Sequence, residues 1–190
     1  MATTIIITTD YDGQITSTDI KSDNIITVAV GGKVAKTTYR SFYRFPLAAL
    51  PADKNVTNAR FRLNIITSDA PAGLWDVHAY DTNGQTDPSG ESSYAHCASG
   101  NLYVDDDITW RNLGQTWITL GGNVCTDIEN AKSAVNRFSL GCHEEGDNDN
   151  SPIAETIETV GGSPAQLEIT YEDVVPPAAV LRRLLVGVGL

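Results

Sequence analysis

Long apolar runs are missing from this sequence. No stretch approaches the roughly 20 residues that a helix needs to cross a bilayer. The opening residues, MATTIIITTDYDG, hold an apolar core of only Ile5–Ile7 with no basic residue ahead of it. Neither a membrane-spanning segment nor a secretory signal peptide is expected, and no membrane partner. Basic charge is scarce too: 13 Lys and Arg against 24 Asp and Glu leave a net charge of −11 at pH 7. A phosphate backbone would be repelled at long range, so direct contact with nucleic acid is not expected. Cysteine appears three times, an odd count without the C-x-x-C spacing of a zinc ribbon. The three histidines, His78, His96 and His143, lie far apart in the chain, and no G-x-S-x-G, H-E-x-x-H or P-loop pattern occurs. Hydrolytic chemistry needs a positioned acid, base or nucleophile, and none is visible, so a non-enzymatic protein without a cofactor is expected. Two carboxylates can always be picked from 24 acidic residues, which keeps a glycosidase pair as a trailing alternative.

What is present reads as β-structure. At 190 residues, 41% hydrophobic and 19% charged, the chain suits one globular domain with a sizeable core. Residues 37–67 organise it. Tyr39, Ser41, Tyr43 and Phe45 alternate with Arg40, Phe42 and Arg44; further on, Ala59, Phe61, Leu63 and Ile65 alternate with Arg60, Arg62 and Asn64. Side chains of a strand point to opposite faces in turn, so each run is a strand with one face in a core, and Phe45, Phe61, Leu63 and Ile65 are expected there. Pro46 removes a ladder donor and ends the first strand, while Leu47 and Leu50 tuck the corner back over the core edge.

Further strands are expected at 3–9, 15–20, 24–30, 74–80, 117–120, 137–143, 153–159 and 166–171, with Trp75 and Trp117 in the core. One short helix starts at Thr126 or Asp127, with Ile128, Ala131 and Val135 on its apolar face. Residues 81–107 read as a long insertion between strands, poor in aliphatics and ending in the acidic run Asp105–Asp107. Nine to eleven short strands with one brief helix predict an all-β fold: a two-sheet antiparallel sandwich of jelly-roll type spanning 1–173, followed by an apolar C-terminal tail at 174–190.

The order Asp12-Gly13-Gln14-Ile15, Tyr39-Arg40-Ser41-Phe42, Phe45, Leu50-Pro51, Val56-Thr57 and Ala59-Arg60-Phe61-Arg62-Leu63 resembles the DNRLRE-type β-sandwich domains. These are similar to some carbohydrate-binding modules. Trp117-Ile118-Thr119-Leu120, Arg137-Phe138-Ser139-Leu140 and Leu167-Glu168-Ile169-Thr170-Tyr171 extend the likeness over roughly 10–172. The matching positions are core and corner residues, so the resemblance implies a fold and assigns no catalytic residue. It implies the settings in which such domains occur: accessory modules of secreted enzymes, surface proteins and phage structural proteins.

Four kinds of candidate site emerge. Calcium takes clustered oxygens, and Asp147 and Asp149 in the acidic loop EEGDNDNSP would hold it, although a solvated loop is the favoured reading there. Sugar contact uses exposed aromatic rings, for which Trp110, Tyr94 and Tyr103 are the candidates beside ordinary loop packing. The cysteines are either unpaired thiols or, as the odd count and loop positions favour, one disulfide among Cys97, Cys125 and Cys142 with the third thiol free or bonded to a neighbouring subunit. The tail supplies a docking stripe, Val180, Leu181, Leu184, Leu185 and Val186, which needs another surface to cover it. Taken together these point to a structural protein of a virion, such as a phage decoration, neck, collar or tail component, made in the host cytoplasm and partnered by its own copies or other virion proteins. The alternative is an extracellular carbohydrate-binding module with a glycan partner.

Overall fold

The computed structural model describes residues 1–23, 31–34, 37–65, 74–90, 93–107, 114–144 and 163–174. Within them the strands are β1 (Thr3–Thr8), β2 (Tyr11–Thr16), β3 (Lys21–Asp23), β4 (Gly31–Val34), β5 (Thr37–Pro46), β6 (Lys54–Ile65), β7 (Trp75–Ala79), β8 (Leu102–Asp107), β9 (Gly114–Thr119), β10 (Arg137–Glu144) and β11 (Gln166–Asp173), with one α-helix, α1 (Val124–Ala134). A smaller sheet runs β1-β11-β6-β9; a larger one runs β3-β2-β5-β10-β7-β8, with β4 also paired to β5. Every pairing is antiparallel. Set aside the β2–β4 excursion, and β1, β6, β9 and β11 form one sheet while β5, β7, β8 and β10 form the other. That is the jelly-roll order: consecutive strands cross between sheets except at β7–β8, which pair within the larger sheet, and the first strand lies beside the last.

The alternation in the sequence is what closes the sandwich. Tyr43 and Phe45 from β5 meet Phe61 from β6 edge-to-face, with centroids 5.3 and 5.9 Å apart. Leu63, Trp75, Val77, Phe138, Leu140, Leu167 and Ile169 join the same buried cluster. The expected core residues Phe45, Phe61 and Leu63 are fully buried; the side chain of Ile65 lies outside the described residues. Leu47 and Leu50, on the 3-10 turn after Pro46, are buried as the corner reading required.

Four expectations are corrected. The helix starts at Val124, two residues early; Asp127 is not its cap but lies inside it, buried, accepting hydrogen bonds from Tyr103 Oη (2.7 Å) and Asn101 Nδ2 (2.8 Å). Trp117 is not core: Ile118 points inward, so its neighbour must point out, where the guanidinium groups of Arg60 and Arg62 lie 5.4 and 5.0 Å from its ring. The run 15–20 is not one strand, because the chain turns at 17–20 between β2 and β3 and leaves Ile20 exposed. Nor is 81–107 without structure of its own: a 3-10 turn spans Ala95–Ala98, and β8 extends the larger sheet beyond β7. The acidic residues Asp105–Asp107 disguised that strand. The expected strands at 24–30 and 153–159 lie outside the described residues.

The larger sheet is covered on both faces. Residues 81–90 and 93–101 lie over its outer side, where Ile15, Phe42, Tyr80 and Cys97 form a second buried cluster. Three basic side chains of the sheet tie that roof down. Arg40 stacks 3.9 Å from the Tyr94 ring and donates to the Tyr94 carbonyl, Arg44 pairs with Asp87 at 2.9 Å, and Lys21 donates to the Pro88 carbonyl at 2.9 Å.

Candidate functional site

Among the described residues, the outer face of β7 and β10 brings together a cluster of ligand-type side chains. Trp75, Val77 and Ala79 enter the core from β7, and Leu140 and Cys142 from β10, so Asp76, His78, Gly141 and His143 face the other way. The register puts His143 directly across from Asp76, and Gly141 across from His78. His78 therefore meets His143 on the diagonal. Their Nε2 atoms are 3.1 Å apart and their rings lie stacked at 5.0 Å. Asp76 Oδ2 is 3.3 Å from His143 Nε2. Asp76 and His143 are buried, and His78 is half-buried.

Two glycines shape the roof over this cluster. A methyl group on Gly141 would meet the Cys97 carbonyl oxygen at 2.3 Å, so only glycine lets the Ala95–Ala98 turn lie directly on β10. One on Gly100 would meet the Asp81 carbonyl at 1.7 Å, so only glycine lets the end of the insertion return against its beginning. That return puts the Gly100 carbonyl 3.1 Å from His78 Nδ1. A carbonyl only accepts, so His78 carries its proton on Nδ1 and presents an Nε2 lone pair to His143. With no ion bound, His143 Nε2–H then donates, shared between His78 Nε2 and Asp76. One carboxylate oxygen and two imidazole nitrogens, each donor within 4.8 Å of the others, can equally hold a metal ion.

The residues picked out from sequence fall elsewhere. Tyr103 is corrected: it is 4% exposed, its hydroxyl committed to Asp127, so it offers no platform for a sugar. Burial and then the Asp127 carboxylate push its phenol well above the usual range. Tyr94 is half-buried under Arg40, with its hydroxyl donating to Thr38 Oγ1 at 2.9 Å, which is the packing role rather than the glycan one. The disulfide expectation is also corrected: Cys97, Cys125 and Cys142 all remain thiols. Cys142 faces the core and Cys97 belongs to the cluster on the outer face of the same sheet, so β10 itself runs between them, while Cys125 sits on α1. Burial, then Cys97, pushes the Cys142 thiol upward. Trp110, Asp147, Asp149 and the tail residues Val180, Leu181, Leu184, Leu185 and Val186 lie outside the described residues, which end at Val174.

Sequence reasoning missed the Asp76–His78–His143 cluster because it judged the histidines by their separation along the chain. A usable signal was there: D-x-H places two ligand-type residues on one strand face, and a second histidine ends the strand predicted at 137–143. What it could not supply was the pairing of those two strands. It also misplaced Trp117, the half-buried tryptophan on the outer face of the smaller sheet.

Fold and site together define a jelly-roll β-sandwich bearing a roofed cluster of two histidines and an aspartate on the outside of its larger sheet. No protein-family model matches the chain, and the search of curated proteins finds no relative. The likeness to DNRLRE-type domains accordingly rests on the residues that carry it. Among the described residues no helix is long and apolar enough to cross a membrane.

Proposed function

We propose that the chain is a non-enzymatic jelly-roll subunit of a large assembly, a virion structural component above all, and that the outer face of its smaller sheet meets a second copy. The observation that carries this reading is the contrast between the two outer faces. The larger sheet is roofed by residues 81–90 and 93–101, whereas no described segment covers the smaller sheet. Its cross-strand rows run Ile6–Glu168–Arg60–Thr119 and Thr8–Gln166–Arg62–Trp117. Ile6 is exposed, and Trp117 stands between two arginines in a protein of net charge −11. An aromatic flanked by arginines is the composition that interfaces favour, and the acidic surface of another copy complements its charge. The tail fits the same role as a second contact. Equilibrium sedimentation tests both: the full chain should self-associate, Trp117→Ala with Arg62→Glu should weaken that by at least about tenfold, and a chain ending at Asp173 should weaken it further. A full-length chain that stays monomeric at high concentration sinks the proposal.

A second reading has its own support. Trp117, with Gln166, Asn64 and Gln115 on the same face, is the kind of flat aromatic and amide surface a carbohydrate-binding module uses. A glycan array that returns no ligand lost on Trp117→Ala removes that reading without touching the first.

A further inference from the structure

We propose that Asp76, His78 and His143 form a site for one divalent transition-metal ion of the zinc class, independent of the role assigned to the smaller sheet. Ligand atoms about 2.0–2.1 Å from one ion lie roughly 3.0–3.4 Å from each other when they are neighbours in its coordination shell. The two imidazole nitrogens at 3.1 Å, and the carboxylate oxygen at 3.3 Å from one of them, already stand at that spacing. All three donors converge within 4.8 Å. They come from adjacent, hydrogen-bonded strands rather than from loops, so the arrangement is held before any ion arrives.

The surroundings match those of a metal-ligating histidine. His78 Nδ1–H is fixed by the Gly100 carbonyl at 3.1 Å, which sets the tautomer and aims the Nε2 lone pair at the site. Two imidazoles with one carboxylate suit zinc, iron, copper or nickel; calcium and magnesium take oxygen shells, so this site answers a different ion from the calcium considered for Asp147 and Asp149. When the ion enters, His143 changes tautomer by exchange with solvent: its proton passes from Nε2 to Nδ1, and the freed Nε2 lone pair binds the ion. Two neutral imidazoles and one carboxylate then carry a dication with at least one coordination position left for water. The half-exposed side of His78 is the route in.

The bond from His78 to Gly100 gives the ion a consequence within the fold. An ion on His78 stiffens the return of the insertion at 100–101, whose Asn101 carbonyl accepts from Ala79 N–H at 2.8 Å on the same strand. Metal binding should therefore stabilise the folded state and slow exchange in the roof segment.

The test uses the full-length, untagged, chelator-stripped chain, titrated with Zn²⁺ by calorimetry and with Co²⁺ by absorption. One ion per chain should bind, raise the melting temperature and, as Co²⁺, show visible bands of a site with nitrogen and oxygen ligands and no thiolate. His78→Gln and Asp76→Asn should each weaken binding by at least about 100-fold, while His96→Gln and Cys125→Ser should leave it unchanged. His78 is only half-buried, so His78→Gln keeps the test decisive even where a substitution at His143 disturbs folding. Absence of saturable binding, unchanged affinity in His78→Gln, or loss on Cys125→Ser would each overturn the proposal. Any of them would leave the three residues as a hydrogen-bonded cluster only.

Discussion

Asp12 is the residue with the clearest electrostatic consequence. It lies on β2 opposite Tyr43, on the core-facing side of the strand, and is 8% exposed. Burial raises its carboxyl from 3.8 to about 6. Because the folded value lies above the ordinary one, the folded state holds this proton more tightly than the unfolded chain. Its contribution to stability is then fullest below about pH 4 and is lost as pH rises through about 6, by an amount on the order of 2–3 kcal/mol. Asp12→Asn should make the protein more stable at pH 7 and flatten its stability profile between pH 4 and 6. Urea titrations across that range read both effects, and an unaltered profile would count against them. Asp127 is the opposite case, a buried carboxylate with two donors in place, and its cost of burial is offset locally.

Among the elements, the roof formed by residues 81–90 and 93–101 depends most on single positions. Asp87 shows how it is held: burial works to raise its carboxyl, but hydrogen bonds from Ser89 and Arg44 outweigh that and set it at about 2. A depressed carboxyl contributes stability above about pH 4 that is lost as pH falls through about 2, so acid should loosen this segment first. Gly141 is the stricter constraint. The contact a methyl group would make there is with the backbone of Cys97, which cannot swing aside as a flexible side chain could. Gly141→Ala should lift the Ala95–Ala98 turn off β10, at a cost of about 1–3 kcal/mol, the range for an overpacked site. Amide exchange should then quicken at Cys97 and its neighbours while β6 and β11 keep their protection; equal loss in both places would mean the strain spreads through the whole sandwich.

For the whole molecule, Phe61 is the residue through which the two sheets meet. It packs edge-to-face on Tyr43 and Phe45 across the sandwich and is fully buried. Phe61→Ala should cost about 3–5 kcal/mol of unfolding free energy, read as a lower urea midpoint with little change in slope. A neutral substitution would place the joint between the sheets elsewhere.

Much of this architecture was legible along the chain, for a local reason. A strand's period of two is written in successive residues, so Tyr43 and Phe45, Phe61 and Leu63, and Trp75 and Val77 announced which face would be buried. Pro46 with Leu47 and Leu50 announced the corner. By itself the sequence determined the two-sheet β-sandwich, the one short helix and the alternation that fills the core. Where only one face is apolar, periodicity of two also shows which face is buried; where both faces carry apolar or aromatic residues it does not, and it never says what lies against a face. Hence Trp117 was placed inside, Phe42 gave no sign of its second cluster, and one disulfide was expected among three cysteines of which Cys97 and Cys142 lie on opposite sides of a sheet and Cys125 lies on α1. The cluster of Asp76, His78 and His143 belongs wholly to the tertiary structure. His78 and His143 are 65 residues apart in the chain, and only the pairing of β7 with β10 brings their nitrogens to 3.1 Å. Strand register is set by the global fit of both faces rather than by any short stretch, so no local pattern could have put those three side chains together.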